Sequence, residues 1–228
     1  MTASHFDAVF IDFYGTISAG DREAVAAACR RVVVAFGLNL SPGELAVRWG
    51  EKFFALVDRS NHESFRMLYE CECESLVETL SPLVGDFDPV PFVEELERYW
   101  RKPPLHGDAM AALKQLKVPV CCVSNADAQP LSDAIAVHEL RFDAVVCSQA
   151  ARCYKPEPAI FRHAAQMLGV DPARVLHVGD SLHSDVAGAA KLGITTAWLC
   201  RPERIHDIGT CRPHHTIASL AELPRLVD

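Results

Sequence analysis

The sequence contains little positive charge and no long hydrophobic run. Its 228 residues include 22 Lys and Arg against 30 Asp and Glu, which gives a formal net charge of −8. Nucleic acid binding needs clustered Lys and Arg to neutralise phosphates, so we expect no nucleic acid partner. The first apolar run, residues 8–13, is too short for a membrane span or a secretion signal, and no basic stretch precedes it. We therefore expect a cytoplasmic protein with no membrane partner.

The sequence also lacks the even cysteine count that is typical of a disulfide framework. Nine cysteines in a chain without a recognisable secretion signal predict free thiols. Cys121, Cys122 and Cys147 lie in apolar runs, where we expect them to be small buried hydrophobic residues. Cys71 and Cys73 are one residue too close for the usual zinc-binding pair, and we expect them to pack rather than to bind zinc.

Apolar, strand-like segments alternate with amphipathic helical segments at the two ends of the chain. Strands are predicted at residues 6–12, 118–123, 142–147, 175–178 and 195–199, with a short extended piece at 216–217. Helices are predicted between them at residues 108–116, 131–138, 159–168 and 184–192. This alternation predicts βαβ units, and hence an α/β domain built on a parallel, Rossmann-like sheet.

The stretch between these two parts is predicted to be entirely helical. Its helices are expected at residues 24–36, 44–57, 63–80 and 90–99, separated by turn signals at Ser41-Pro42, Ser60-Asn61 and Ser81-Pro82 with Gly85. The predicted organisation is a discontinuous core of residues 1–17 and 105–228, interrupted by a helical cap of residues 18–104. Sites in parallel sheets form beyond the carboxyl ends of the strands, so the cap is expected to cover the site.

Polar residues follow four of the predicted strands in a specific order. They are Asp12, then Ser124 and Asn125, then Lys155 after a short loop, and finally Asp180 with Asp185 one helical turn later. Each residue alone is more often a helix cap or a turn residue. All four strand ends meet at one edge of a parallel sheet, so together they predict a site for covalent attack and charge handling.

This ordered set resembles the haloacid dehalogenase superfamily. The matching segments read FIDFYGT (10–16), VSNA (123–126), KPEP (155–158), VGDS (178–181) and DVAGA (185–189). The helical insert resembles the cap of the subfamily I members, which place it after the first motif. The resemblance covers nearly all of residues 1–17 and 105–228, and it implies a hydrolase.

The resemblance also implies a role for each matching residue. Asp12 would be the nucleophile that forms a covalent aspartyl intermediate, and Lys155 would neutralise its charge. Thr16, Ser124 and Asn125 would bind the transferring group. The implied Mg²⁺ ligands are Asp12, the backbone carbonyl of Tyr14, Asp180 and Asp185. The physical chemistry agrees, because neighbouring aspartates repel without a cation between them, and Mg²⁺ prefers oxygen ligands.

Tyr14 departs from the phosphatase pattern. Phosphatases of this superfamily carry a second aspartate at this position, which protonates the leaving group. Loss of such an acid costs on the order of 10²–10⁴-fold in rate. Halide leaves without a proton, and the Tyr-Gly-Thr form resembles the 2-haloacid dehalogenases. Those enzymes work without a metal and lack the Gly-Asp pair that is intact here as Gly179-Asp180. They also use a cap arginine to bind substrate. Arg48 is the nearest candidate for it by position, followed by Arg59 and Arg66.

Three functional hypotheses follow. The favoured one is a Mg²⁺-dependent phosphatase of a small, anionic phosphorylated metabolite with a good leaving group, such as an acyl or enol phosphate. The first alternative is a metal-independent 2-haloacid dehalogenase. The second is a non-catalytic module that binds a phosphorylated ligand or a protein. His183 is a further residue that could face the site, Trp100 is expected to pack in a core, and the sequence leaves both a monomer and a homodimer open.

Overall fold

One six-stranded parallel sheet forms the centre of the protein. The computed structural model describes residues 6–202, 209 and 211–227. Its strands are β1 (Ala8–Ile11), β2 (Val120–Ser124), β3 (Ala144–Cys147), β4 (Val175–Gly179), β5 (Thr195–Leu199) and β6 (His215–Ile217). They lie in the order β3-β2-β1-β4-β5-β6, and every neighbouring pair is parallel. The predicted α/β parallel-sheet fold is confirmed.

Four helices follow β1 and form the cap. They are α1 (Asp21–Phe36), α2 (Pro42–Arg59), α3 (Leu68–Val84) and α4 (Val90–Arg101). Their inward faces bury a cluster of their own, which includes Val32, Leu45, Trp49 and Leu80. The cap therefore has a separate hydrophobic core, as expected for helices with one apolar stripe each.

Helix α3 differs from its predicted bounds at both ends. Residues 63–67 are not part of it, because the backbone N–H groups of Leu68 and Tyr69 donate to the Asp127 carboxylate at 2.8 and 3.0 Å and so fix the start of the helix at Leu68. Pro82 lies inside the helix rather than ending it. The helix continues to Val84 and ends at Gly85, whose φ of 78° is readily adopted by glycine.

Helices cover both faces of the sheet. They are α5 (Ala109–Gln115), α6 (Ala128–Val137), α7 (Ser148–Ala151), α8 (Pro158–Leu168), α9 (Gly188–Ala190), which is preceded by a π-helical segment at Leu182–Ala187, and α10 (Leu223–Val227). Val9 and Ile11 of β1 belong to the cluster on one face, while Ala8 and Phe10 belong to the cluster on the other. β1 is thus buried on both sides, which is why its sequence is continuously apolar.

Two further features bear on the sequence-based expectations. All nine cysteines carry free thiols; Cys71 is buried and Cys73 is half-buried. In the described part of the chain, no helix combines the length and the apolar character needed to cross a bilayer.

Candidate active site

A cavity of about 470 Å³ lies between the carboxyl ends of the strands and the cap. Its core side is lined by polar residues, namely Asp12, Tyr14, Ser124, Asn125, Lys155, Asp180, Ser181, His183, Ser184 and Asp185. Its cap side is largely apolar and is lined by Phe53, Phe54, Val57, Asp58, Leu68 and Trp100. The polar wall can carry the chemistry, and the apolar wall limits the access of water.

Lys155 connects two carboxylates at the base of this cavity. Its Nζ donates to Asp12 Oδ1 at 2.6 Å, to Asp185 Oδ1 at 2.6 Å and to the backbone carbonyl of Val123 at 3.1 Å. Burial alone would lower the pKa of Lys155, but the two carboxylates reverse this and hold the pKa above its ordinary value. Lys155 is therefore a buried, fully charged ammonium with all three donors in use.

Asp185 is the residue that holds Lys155 in place. Besides Lys155, its Oδ1 contacts His177 Nε2 at 2.9 Å, and its Oδ2 accepts from the Ser181 backbone N–H at 3.1 Å. Burial raises the pKa of Asp185, but Lys155 and His177 lower it more, so the carboxylate is ionised. With hydrogen-bond partners on both oxygens, Asp185 has less capacity to bind a metal than the sequence-based assignment implies.

Three carboxylates lie together at the cavity floor. One ligand oxygen from each of Asp12, Asp180 and Asp185 can be chosen so that all lie within 4.8 Å of one another. Burial raises the pKa of Asp12, and the adjacent Lys155 ammonium opposes that rise. Clustered carboxylate oxygens are the ligands that a hard divalent cation prefers. The donor set therefore fits Mg²⁺.

Asn125 and Ser124 differ in what they contact. Asn125 Oδ1 accepts from the Lys155 backbone N–H at 2.7 Å, and its Nδ2 donates to the Lys155 carbonyl at 3.1 Å, so this side chain fixes the lysine backbone. Ser124 Oγ is buried and has no hydrogen-bond partner among the described residues. A buried hydroxyl without a partner at a cavity wall is suited to bind an oxygen of a ligand.

The Tyr14 hydroxyl points to the cap rather than to the reaction centre. It donates to the backbone carbonyl of Trp100 at 2.7 Å, and the two rings make an edge contact at 5.0 Å. Burial is the main cause that raises the pKa of Tyr14 far above its ordinary value. This hydroxyl is therefore a structural hydrogen-bond donor and a poor proton shuttle.

Two residues predicted to bind substrate do not line the cavity. Thr16 is completely buried, and its Oγ1 donates to Asp180 Oδ1 at 3.2 Å, so it orients Asp180 instead. Arg48 is exposed on α2 and is absent from the residues that line the cavity. The other two candidate arginines also point elsewhere, because Arg59 pairs with Glu78 and Arg66 with Glu74 on the cap surface.

The structure adds residues that the sequence analysis did not assign to the site. His183, which the sequence analysis names as a residue that could face the site, lines the cavity. Its Nε2 lies 3.9 Å from Asp58 Oδ1 across the mouth. His177, to which the sequence analysis gives no role, contacts Asp185, and a histidine inside an apolar strand is itself a signal of such a buried polar contact. Trp100, expected to pack in a core, lines the cavity and contacts Tyr14.

Comparisons with known proteins agree with this geometry. The profile of the haloacid dehalogenase-like hydrolases matches residues 6–193. The N-acylneuraminate-9-phosphatase of Mus musculus is 29% identical over 161 residues, which cover 66% of this chain and 65% of that protein, just under two thirds of its length. A pyrimidine 5'-nucleotidase of Escherichia coli is 38% identical over 87 residues, 38% of each chain.

The same relationship is visible in three dimensions. The structure of L-2-haloacid dehalogenase from Xanthobacter autotrophicus superposes with a TM-score of 0.78 at 25% identity, covering 97% of this chain and 98% of that one. The relatives are thus both phosphatases and dehalogenases, and all of them are hydrolases. The chain belongs to the haloacid dehalogenase-like hydrolase family.

Proposed function

We propose that this enzyme is a Mg²⁺-dependent phosphatase of a small phosphorylated metabolite, with Asp12 as its nucleophile. The observation that supports this best is the cluster of three carboxylates at the cavity floor, of which Asp12 and Asp185 are bonded to Lys155. Without a cation, this arrangement would repel an anionic substrate. When bound, Mg²⁺ would be held by Asp12 and Asp180 and would neutralise the phosphoryl oxygens.

In this proposal the chain's own residues divide the chemistry among them. Lys155 holds Asp12 Oδ1, which leaves Oδ2 to attack phosphorus while the bond to the leaving oxygen breaks. The leaving oxygen departs with the electron pair. Ser124 donates a hydrogen bond to a phosphoryl oxygen, and Lys155 stabilises the charge on the aspartyl phosphate. Water then attacks the phosphorus and the Oδ2–P bond breaks, which restores the carboxylate and releases phosphate that carries the oxygen and both protons of the water.

The position of Tyr14 restricts the leaving group. Its hydroxyl is bound to the Trp100 carbonyl and holds its proton firmly, so an alkoxide would leave without a proton donor at this position. Acyl, enol and aryl phosphates have leaving groups that are stable as anions. We therefore propose that the substrate is an activated phosphate. We also propose a cytoplasmic location, since nine free thiols are typical of a reducing compartment.

The test is phosphate release from p-nitrophenyl phosphate and acetyl phosphate, with Mg²⁺ and with excess chelator. We expect release only with Mg²⁺, and we expect its loss in Asp12→Asn. The matched control is Asp7→Asn. Asp7 precedes β1, whereas Asp12 follows it, and the Asp7 carboxylate pairs with Arg174 on the surface. Equal turnover of alkyl phosphates without magnesium would contradict the proposal.

A second candidate is a metal-independent 2-haloacid dehalogenase. It is favoured by the absence of a proton donor at Tyr14, because a halide needs none, and by the structural similarity to the Xanthobacter autotrophicus dehalogenase. The intact Asp180 and the exposed position of Arg48 weigh against it. Halide release from 2-chloropropionate in excess chelator, with no phosphate release in the first assay, would replace the phosphatase proposal with this one.

A further inference from the structure

A second cavity, of about 790 Å³, lies inside the cap beside the active site. Three residues, Phe53, Phe54 and Trp100, line both cavities, so the two spaces adjoin. The Trp100 carbonyl accepts from Tyr14 in the nucleophile loop, and its indole Nε1 donates to Glu72 at the wall of the second cavity. Trp100 thus stands between the site at Asp12 and this second space.

Glu72 is the unusual residue of the second cavity. It is only 3% exposed, and its Oε1 accepts from Trp100 Nε1 at 2.9 Å. Its Oε2 has no hydrogen-bond partner among the described residues. Burial raises the pKa of Glu72 well above its ordinary value, with Glu97 and Asp127 adding to the effect. A buried, unpartnered carboxyl oxygen on a residue that lines a cavity needs a ligand group to satisfy it.

The walls around Glu72 favour a positively charged ligand group. Four aromatic residues line the cavity, namely Trp49, Phe53, Phe54 and Trp100. Aromatic faces attract ammonium groups, most strongly where water is excluded. Among the lining residues the only base is Arg22, which is exposed at the start of α1, so the wall carries a net negative charge. A ligand ammonium would supply the counter-charge that Glu72 lacks.

We propose that this cap cavity is the leaving-group subsite, and that it selects substrates whose apolar leaving group ends in an ammonium that pairs with Glu72 Oε2. The proposal rests on the proposed phosphatase function and adds the class of leaving group. The phosphoryl group lies at Asp12, the apolar body passes between Phe53 and Trp100, and the cationic end reaches Glu72.

Three aryl phosphates test this selection. All three are phenyl phosphates, and they differ only in the para substituent, which is an aminomethyl, a hydroxymethyl or a methyl group. We expect the aminomethyl compound to exceed the methyl compound in kcat/KM by about tenfold or more, since a desolvated ion pair and aromatic contacts both favour it. The neutral hydroxymethyl compound distinguishes a requirement for charge from a requirement for any hydrogen-bond donor.

The matched variants are Glu72→Gln and Glu78→Gln. Both remove one carboxylate from α3, but Glu78 is exposed on the outer surface, away from the cavity. Glu72→Gln should abolish the aminomethyl preference, while Glu78→Gln should retain both the preference and the turnover of all three compounds. The ratio in Glu72→Gln also gives the intrinsic difference between the leaving groups.

A second measurement needs no variant. Benzylamine should inhibit hydrolysis of p-nitrophenyl phosphate competitively, because its ring and ammonium would occupy the space of the nitrophenyl group. Noncompetitive inhibition or no inhibition would overturn the proposal, as would an aminomethyl preference that survives in Glu72→Gln. Hydrolysis of all three aryl phosphates with equal efficiency would refute the subsite but leave the phosphatase function intact. Failure to hydrolyse any phosphate, including acetyl phosphate, would refute both.

Discussion

Replacing Tyr14 with phenylalanine distinguishes a structural from a catalytic role for its hydroxyl. The hydroxyl donates at 2.7 Å to the carbonyl of Trp100, which lies in the last turn of α4. Carbonyls in the last turn of a helix have no partner within the helix, so Tyr14 satisfies one of them. Tyr14→Phe removes this bond but keeps the ring and its edge contact with Trp100.

The expected magnitude follows from that single bond. A hydrogen bond of this type contributes about 1 kcal/mol, and leaving its carbonyl half-buried raises the total loss to about 1–2 kcal/mol. We expect Tyr14→Phe to lower the free energy of unfolding by this amount in urea denaturation. We expect the turnover rate with acetyl phosphate to change by less than about threefold, because the proton-transfer contribution, on the order of 10²–10⁴-fold, would be absent already.

The matched control is Tyr99→Phe. Tyr99 donates at 2.8 Å to the Ala19 carbonyl, so this change also removes a hydrogen bond between α4 and the segment after the nucleophile loop. Unlike Tyr14, Tyr99 does not line the active-site cavity. Both variants should lose similar stability and keep their activity. A drop in turnover by about a hundredfold or more in Tyr14→Phe alone, without loss of stability, would refute the structural role and identify Tyr14 as a proton donor.

Two further predictions concern residues that support the site. Gly179→Ala should slow phosphate release by at least about tenfold, because an added Cβ would overlap the Asp185 carboxyl group and displace the partner of Lys155. Burial raises the pKa of Asp108, but hydrogen bonds led by the one from Arg201 lower it to about 2. The stabilisation from the ionised Asp108 is present above the ordinary pKa of 3.8 and is lost as the pH falls towards 2. In urea denaturation at several pH values, Asp108→Asn should therefore lose less stability on acidification than the wild type. At neutral pH the variant should be about 3 kcal/mol less stable.

The sheet and the polar residues at its edge were predictable, because both depend on local patterns. Mainly apolar runs of four or five residues mark β1 to β4, and Asp12 and Asp180 follow directly after β1 and β4. The start of α3 was not predictable, since the residue that fixes it, Asp127, is about sixty residues away in sequence. Long-range contacts of this kind override local helix signals.

The same distinction explains why Arg48 and Thr16 lie away from the cavity wall. Arg48 was chosen by its position along the chain, but the helical phase of α2 directs Trp49 inward and leaves Arg48 exposed. Thr16 was assigned by resemblance, and its burial against Asp180 depends on how the loop after β1 folds. The proposed role of Glu72 depends on its position at a cavity wall beside Trp100. No local sequence pattern indicates that position.

The most direct test of the central claim is to locate the phosphoryl group during turnover. The enzyme is mixed with acetyl phosphate and Mg²⁺, quenched in acid and digested, and the peptide containing Asp12 is analysed by mass spectrometry. The account predicts one added phosphoryl group on Asp12, and neither this adduct nor phosphate release in Asp12→Asn. Phosphate release at the wild-type rate by Asp12→Asn, or an adduct on another residue, would contradict it.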